Sequence, residues 1–248
     1  MRLTDEAYWN QGYNDQGFGD AKGSSLDIFL SRHLTEAKGS SCLEIGSYPG
    51  SYLPAIGRKG YILSGIDFNK RNANELPKWL HSLGFDIDDF WSGDFFDFIK
   101  EHKKRYDLVC SFGFIEHFEN FEEVIEAHTD LLKPTGKIII TTPNFRGWMQ
   151  QLPHRLFDRE NLKIHNLSSM NPAKWKAVLE RKGFEVTFHG YFGGYYFWVD
   201  ETQPRSSFQK FMLRNTNRLI FNLNKLIKRS GRESKHYSAF CGIVAVKR

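Results

Sequence analysis

A chain of 248 residues with 40% hydrophobic content can build one large α/β domain or two small ones around a real core. No apolar run reaches the roughly 18 residues of a membrane-spanning helix, and the opening Met1-Arg2-Leu3-Thr4-Asp5-Glu6 lacks the apolar stretch of a secretory leader, so a cytoplasmic protein is expected. The formal charge of +5 is uneven: residues 201–235 carry nine basic side chains against two acidic ones, leaving a slightly acidic remainder that is no basic platform for nucleic acid.

In chain order, residues 7–19 are aromatic and rich in Gly and Asn, a loop with one helical turn. Residues 25–37 place Leu26, Phe29, Leu30 and Leu34 at helical spacing. That helix either packs on a sheet or folds over a ligand pocket. Next come a short apolar run at 42–45 that contains Glu44, the turn Gly46-Ser47-Tyr48-Pro49-Gly50, a helix from about residue 51, and a second apolar run at 61–66 ending on Asp67. Strand, glycine turn, helix, strand and acid make the first half of a nucleotide-binding α/β sheet. The glycines admit a ligand close to the backbone, the helix start offers free N–H groups, and Asp67 can accept both hydroxyls of a ribose. Tyr48 breaks the dinucleotide pattern G-x-G-x-x-G, and an ordinary Gly-Pro turn is the plain alternative.

A polar helix is expected at 73–83 and a strand at 85–91. Asp94 then either caps a helix at 95–102 or meets an adenine amino group, and the two roles are compatible. A strand at 106–112 runs into Gly113-Phe114-Ile115-Glu116-His117, followed by a helix at 121–132 and a Pro134/Gly136 stop. The β-branched run 137–142 is a strand buried on both faces. Residues 143–169 read as a long polar and aromatic connection containing His154 and His165. A helix at 172–182, a strand at 184–189 and a last strand at 238–246 complete the series. Between those two strands, Phe208, Met212, Leu219, Leu223, Leu226 and Ile227 recur at roughly helical intervals among Lys and Arg. Cys42, Cys110 and Cys241 all fall inside expected strands, without metal-ligand spacing, and read as free thiols. Alternating strands and helices argue for a parallel, doubly wound sheet.

The spacing of Glu44, Gly46 and Gly50 resembles the acidic-x-G-x-G-x-G signature of class I S-adenosylmethionine-dependent methyltransferases, with Tyr48 in place of the middle glycine. Further landmarks recur in order: Gly65-Ile66-Asp67, Gly93-Asp94, Asp107-Leu108-Val109, Ile115-Glu116-His117, Leu132-x-Pro134-x-Gly136 and Lys182-Gly183-Phe184. The set is similar to the small-molecule branch of ubiquinone-biosynthesis and sugar-tailoring O-methyltransferases. The resemblance implies a doubly wound, mostly parallel seven-stranded Rossmann-like sheet in the order 3-2-1-4-5-7-6, its last strand antiparallel. It also implies one methyltransferase domain over 1–248: an N-terminal cap or lid (1–39), a cofactor-binding core (40–194), a basic amphipathic insertion (195–235) and a final strand (236–248). The implied cofactor is S-adenosyl-L-methionine, with S-adenosyl-L-homocysteine as product. Glu44, Gly46, Ser47, Tyr48 and Gly50 would wrap its methionine part, Asp67 its ribose, Phe68, Asp94 and Phe95 its adenine, and Ser111 and Phe112 would floor the sulfonium pocket.

A sulfonium is already activated, so the protein's main task is to position a nucleophile in line with the methyl carbon and, for a hydroxyl, to remove its proton. Histidine suits that near neutral pH, and the candidates are His117 and His165; each can equally be a packing residue. Metal-assisted relatives cluster acids before the Glu-His pair, where this chain has Phe112, Gly113 and Phe114, so no metal is expected. Ser111-Phe112-Gly113-Phe114 also lacks the Asn/Asp-Pro-Pro-aromatic stretch of base and glutamine N-methyltransferases. The expected reaction is therefore O-methylation of a small-molecule or sugar/glycan acceptor. The rivals are an RNA-modifying enzyme using 205–235 as an arm, although nucleic acid is not the favoured partner, and a non-catalytic cofactor-binding module. Residues 205–235 themselves read either as an interfacial helix on an anionic membrane or as a lid with a solvated cationic face.

Overall fold

The strands β1 (Ser41–Ile45), β2 (Ile62–Asp67), β3 (Ile87–Ser92), β4 (Tyr106–Phe112), β5 (Leu132–Pro143), β6 (Phe184–Phe192) and β7 (Phe240–Lys247) form one sheet. They are ordered β3-β2-β1-β4-β5-β7-β6 in the computed structural model, which describes residues 1–4, 8, 9, 17–195, 206–230 and 233–248. β1 pairs in parallel with β2 and β4, whereas β7 runs antiparallel to both β5 and β6. This is the seven-stranded order expected.

Alternation along each central strand feeds two cores. Leu43, Ile45, Val109, Ile138 and Ile140 face one side, against helices α6 (Phe121–Asp130) and α9 (Pro172–Arg181). Cys42, Leu108, Cys110 and Ile139 face the other, against α1 (Ser25–His33), α2 (Leu53–Gly57) and α4 (Leu76–Ser82). Stretches buried on both faces read as unbroken apolar runs, as Leu108–Cys110 in β4 and Ile138–Ile140 in β5 do. All three cysteines are buried and free.

Helix α1 starts at a Ser24 cap and buries Leu26, Phe29 and Leu30. Each such side chain contributes roughly 1.5–3 kcal/mol when removed from water. A helix anchored this way packs on the sheet, and its Leu26 also lines the cavity described below. Of the expected N-terminal cap, residues 5–7 and 10–16 lie outside the described residues.

Several expectations needed correction. The helix at 73–83 is two pieces, α3 (Arg71–Asn74) and α4, because Pro77 sits in the first turn of α4 and starts a new helix. The Pro134/Gly136 stop lies within the span of β5, where the pairing with β4 shifts register between Tyr106 and Leu108. The connection 143–169 contains α7 (Trp148–Phe157) and α8 (Arg159–Lys163). Pro153 disguised α7, since an interior proline costs a backbone hydrogen bond. The carbonyl it leaves without an N–H partner, that of Met149, accepts the Tyr195 hydroxyl at 2.5 Å. The basic segment forms one long helix, α10 (Ser207–Ser230). Helix α5 (Phe95–Glu101) follows β3 as expected. Among the described residues, no helix is long and apolar enough to cross a membrane.

Candidate functional site

A cavity of about 900 Å³ opens across the carboxyl ends of β1, β2 and β4. Between β1 and β4 the strand order reverses, which is where open α/β sheets hold ligands. Glu44, Gly46, Ser47, Tyr48, Gly50, Asp67, Phe68, Phe95, Phe112, His117 and His165 all line it.

The β1–α2 turn explains both its glycines and its tyrosine. Gly46 and Gly50 have φ of +73° and +80°, and a Cβ would lie 2.8 Å from the Phe114 ring and 2.4 Å from Leu76 respectively. No described non-glycine residue has positive φ, so position 48 tolerates a side chain. The Tyr48 hydroxyl accepts from Arg71 at 2.7 Å, and its backbone N–H donates to Asp67 at 3.2 Å. Ser47 turns its hydroxyl onto Asn72 at 2.8 Å. Asp67 also accepts from the Asn69 N–H at 2.8 Å, and burial raises its carboxyl to about 6. Glu44 is pushed well above the usual carboxylate range, chiefly by burial and secondarily by the Asp67 charge. One Glu44 oxygen is buried with no hydrogen-bond partner. A tight glycine turn beside an unsatisfied buried carboxylate fits a small ammonium-bearing tail.

Asp94 fulfils its capping role, accepting from the N–H groups of Phe96 and Asp97 at 2.6 and 3.4 Å. Its second oxygen accepts from Arg2 at 2.7 Å, and the Arg2 guanidinium lies 4.6 Å from the Phe68 ring centroid. Two residues expected to meet adenine are thus joined by a side chain the sequence reading did not consider. A carboxylate keeps further acceptor positions when so engaged.

Asp94 and Ser111 are the two expected residues that do not line this cavity; Asp94 lines an adjoining pocket with Arg2 and Phe68. Neighbouring strand residues point to opposite faces, so with Phe112 on the cavity wall Ser111 turns away. It is fully buried and 3.0 Å from His128 Nε2, beneath α6. Because His128 Nδ1 donates to the Val124 carbonyl at 2.7 Å, Nε2 accepts the Ser111 proton.

On the β4 and β5 side, Glu116, His117 and His165 converge, with ligand atoms within 4.8 Å of one another. His117 lies in a 3-10 turn (Ile115–His117), and His165 follows α8. Their rings are 4.6 Å apart. His117 Nδ1 donates to the Ile164 carbonyl at 2.9 Å and His165 Nδ1 to the Asn161 carbonyl at 2.6 Å. Each bond fixes a tautomer whose Nε2 carries a lone pair. Burial, and then the neighbouring His165, hold His117 well below its ordinary value; burial lowers His165 to about 4. Both rings are neutral at pH 7. Glu116 is raised to about 8 by burial, and both its oxygens lack partners. The chemistry available is proton acceptance at two imidazoles; the three donors could also hold a metal ion, although the positions 112–114 on which the metal-free expectation rested carry none. His154 packs elsewhere, buried against Phe145 with Nδ1 3.2 Å from Asp158.

Sequence reasoning missed Arg2, Thr4, Trp9, Glu116 and Asn161 as cavity residues. Glu116 had a visible signal, since it adjoins His117. Arg2 and Trp9 had none, being brought in by the pairing of residue 2 with Phe118 and of the Trp9 ring with His117.

The sheet order and the crevice at its reversal define the class I methyltransferase fold. The sequence profile of the methyltransferase-domain family matches residues 24–189, and the chain belongs to that family. It is similar to the ubiquinone biosynthesis O-methyltransferase of Saccharophagus degradans, 31% identical over 103 residues, or 41% of this chain and 43% of that protein. It is also similar to the mitochondrial ubiquinone biosynthesis O-methyltransferase of Bos taurus, 26% identical over 183 residues, or 66% of this chain and 48% of that one. The chain spans about half the length of these curated relatives. Among solved structures, a SAM-dependent methyltransferase from Archaeoglobus fulgidus superposes with a TM-score of 0.57 at 20% identity, covering 90% of this chain and 93% of that one. One from Aquifex aeolicus gives 0.56 at 11% identity, covering 99% and 100%. These two likenesses are of fold.

Proposed function

We propose that the protein transfers a methyl group from S-adenosyl-L-methionine to a hydroxyl of a small-molecule or glycan acceptor. One observation carries this: a single cavity holds both the Glu44–Gly50 turn with Asp67 and the Glu116–His117–His165 cluster. When bound, S-adenosylmethionine supplies an electrophilic methyl whose leaving group is a neutral thioether. Glu44 and the glycine turn hold its amino-acid tail, Asp67 its ribose diol, and Phe68, Asp94 and Phe95 its base. The neutral Nε2 of His117 or His165 takes the proton of the acceptor hydroxyl, since burial keeps both rings unprotonated. The aromatic walls (Phe95, Phe112, Phe114, Phe118) keep bulk water from the reacting oxygen. Membership of the family, and the names of the curated relatives, support O-methylation.

Calorimetric titration with S-adenosylhomocysteine, followed by acceptor screening with methyl-labelled cofactor, tests the reading. Saturable binding and label transfer to a hydroxyl are expected; no binding would remove it. Turnover should survive exhaustive chelation. A loss restored by a divalent ion would turn the cluster from proton acceptor to metal centre.

A further inference from the structure

Two neighbouring helices leave apolar rows uncovered. On α7, Trp148, Leu152 and Leu156 recur every four residues, and each is more than half exposed. On α10, Phe208, Phe211 and Leu219 fall on one face at 3.6 residues per turn and are exposed to the same degree. The helices share one small apolar cluster, in which Leu213 of α10 and Tyr195 are buried and Met149 and Phe157 of α7 pack against them. Scattered exposed apolar residues are ordinary; two exposed rows on helices that share an apolar cluster are not.

Charge identifies the occupant. Residues 207–230 contain six Lys or Arg and no Asp or Glu. Lys210, Arg214 and Arg218 form an exposed ridge at four-residue spacing beside the α10 row, and Arg155 stands beside the α7 row. A second copy of the chain on this face would set one basic ridge against another, which a two-fold contact penalises. A nucleic acid would use the ridge and leave the apolar rows in water. An anionic bilayer satisfies both, taking the apolar rows between its headgroups and the cations at its surface.

We infer that the α7–α10 face docks the protein on an anionic lipid surface. The docking goes beyond the methyl-transfer reading and does not depend on it. Its bearing on that reading is positional: α7 continues through α8 to Asn161 and His165 on the cavity wall, so the docked face and the acceptor side of the cavity share one segment.

The test is sedimentation of the full chain with phosphatidylcholine vesicles, with and without phosphatidylglycerol, in the absence of cofactor. Pelleting is expected only with phosphatidylglycerol, and it should weaken as salt rises. Leu152→Glu with Leu219→Glu should reduce the bound fraction at least tenfold, as should Lys210→Glu with Arg214→Glu and Arg218→Glu. Unchanged thermal melting and S-adenosylhomocysteine affinity would show that both variants remain folded. Absence of pelleting by the native chain overturns the inference. So does pelleting that ignores both sets of substitutions, or a dimer that the Leu152/Leu219 pair dissociates while vesicles stay unbound.

Discussion

The two sides of the cavity are built differently. On the β1–β2 side, the ligand-facing parts are backbone and short side chains fixed by strand ends: positive-φ Gly46 and Gly50, the Tyr48 N–H, and Asp67 on the last residue of β2. On the β4–β5 side, the chemistry sits on side chains carried by a 3-10 turn and the loop after α8, and oriented by carbonyls of Asn161 and Ile164. The first side is set by secondary structure. The second depends on tertiary packing bringing residues 117 and 165 together. Binding and chemistry should therefore separate under mutation.

The largest effect should come from the chemical side. His117→Ala should lower turnover by about 10²–10⁴-fold, the usual range for a general base, while S-adenosylhomocysteine affinity stays within a few-fold; equal losses in both would erase the distinction. Next in size, Asp67→Ala should weaken S-adenosylhomocysteine roughly ten- to a hundredfold by calorimetry, as expected for removing a charged hydrogen-bond acceptor. The same carboxyl gives a pH signature. Its value in the free protein is raised to about 6. The ionised form is the one that accepts two ribose hydroxyls, so binding should take up no proton above pH 6. Below it, affinity should fall by up to tenfold per unit, because the acid must first release its proton. An affinity flat down to pH 5 would place the diol elsewhere. The smallest effect belongs to Ser111→Ala, which leaves His128 Nε2 without its donor beneath α6. A loss of about 1–3 kcal/mol in denaturant-measured stability is expected for an orphaned buried acceptor, with cofactor affinity unchanged.

The same contrast explains what could be read from the amino-acid order. Strand periods, the Gly46 and Gly50 punctuation and the Asp67 terminus are local signals, and they located the sheet and the β1–β2 turn within a residue or two. Ser111 and Phe112 were both expected on the cavity floor because a strand end offers two adjacent residues; alternation, known once Phe112 is placed, leaves Ser111 off the cavity lining. Arg2 could not be found at all, since its approach to Asp94 joins residues 92 positions apart. Helix α7 carries its apolar residues at four-residue spacing, but Pro153 interrupts its hydrogen bonding, and the rescuing hydroxyl of Tyr195 lies 46 positions beyond Met149.

The position of β7 bears on the order of assembly. Among the described residues, β6 finds its hydrogen-bonding neighbour only in residues 240–247, and β5 shows the same neighbour its outer edge. Until that stretch has left the ribosome, two strand edges stand open to unrelated chains. The β5–β6 end of the sheet cannot be sealed piecemeal from the amino terminus, and a nascent chain paused short of residue 240 would be the form most in need of a chaperone.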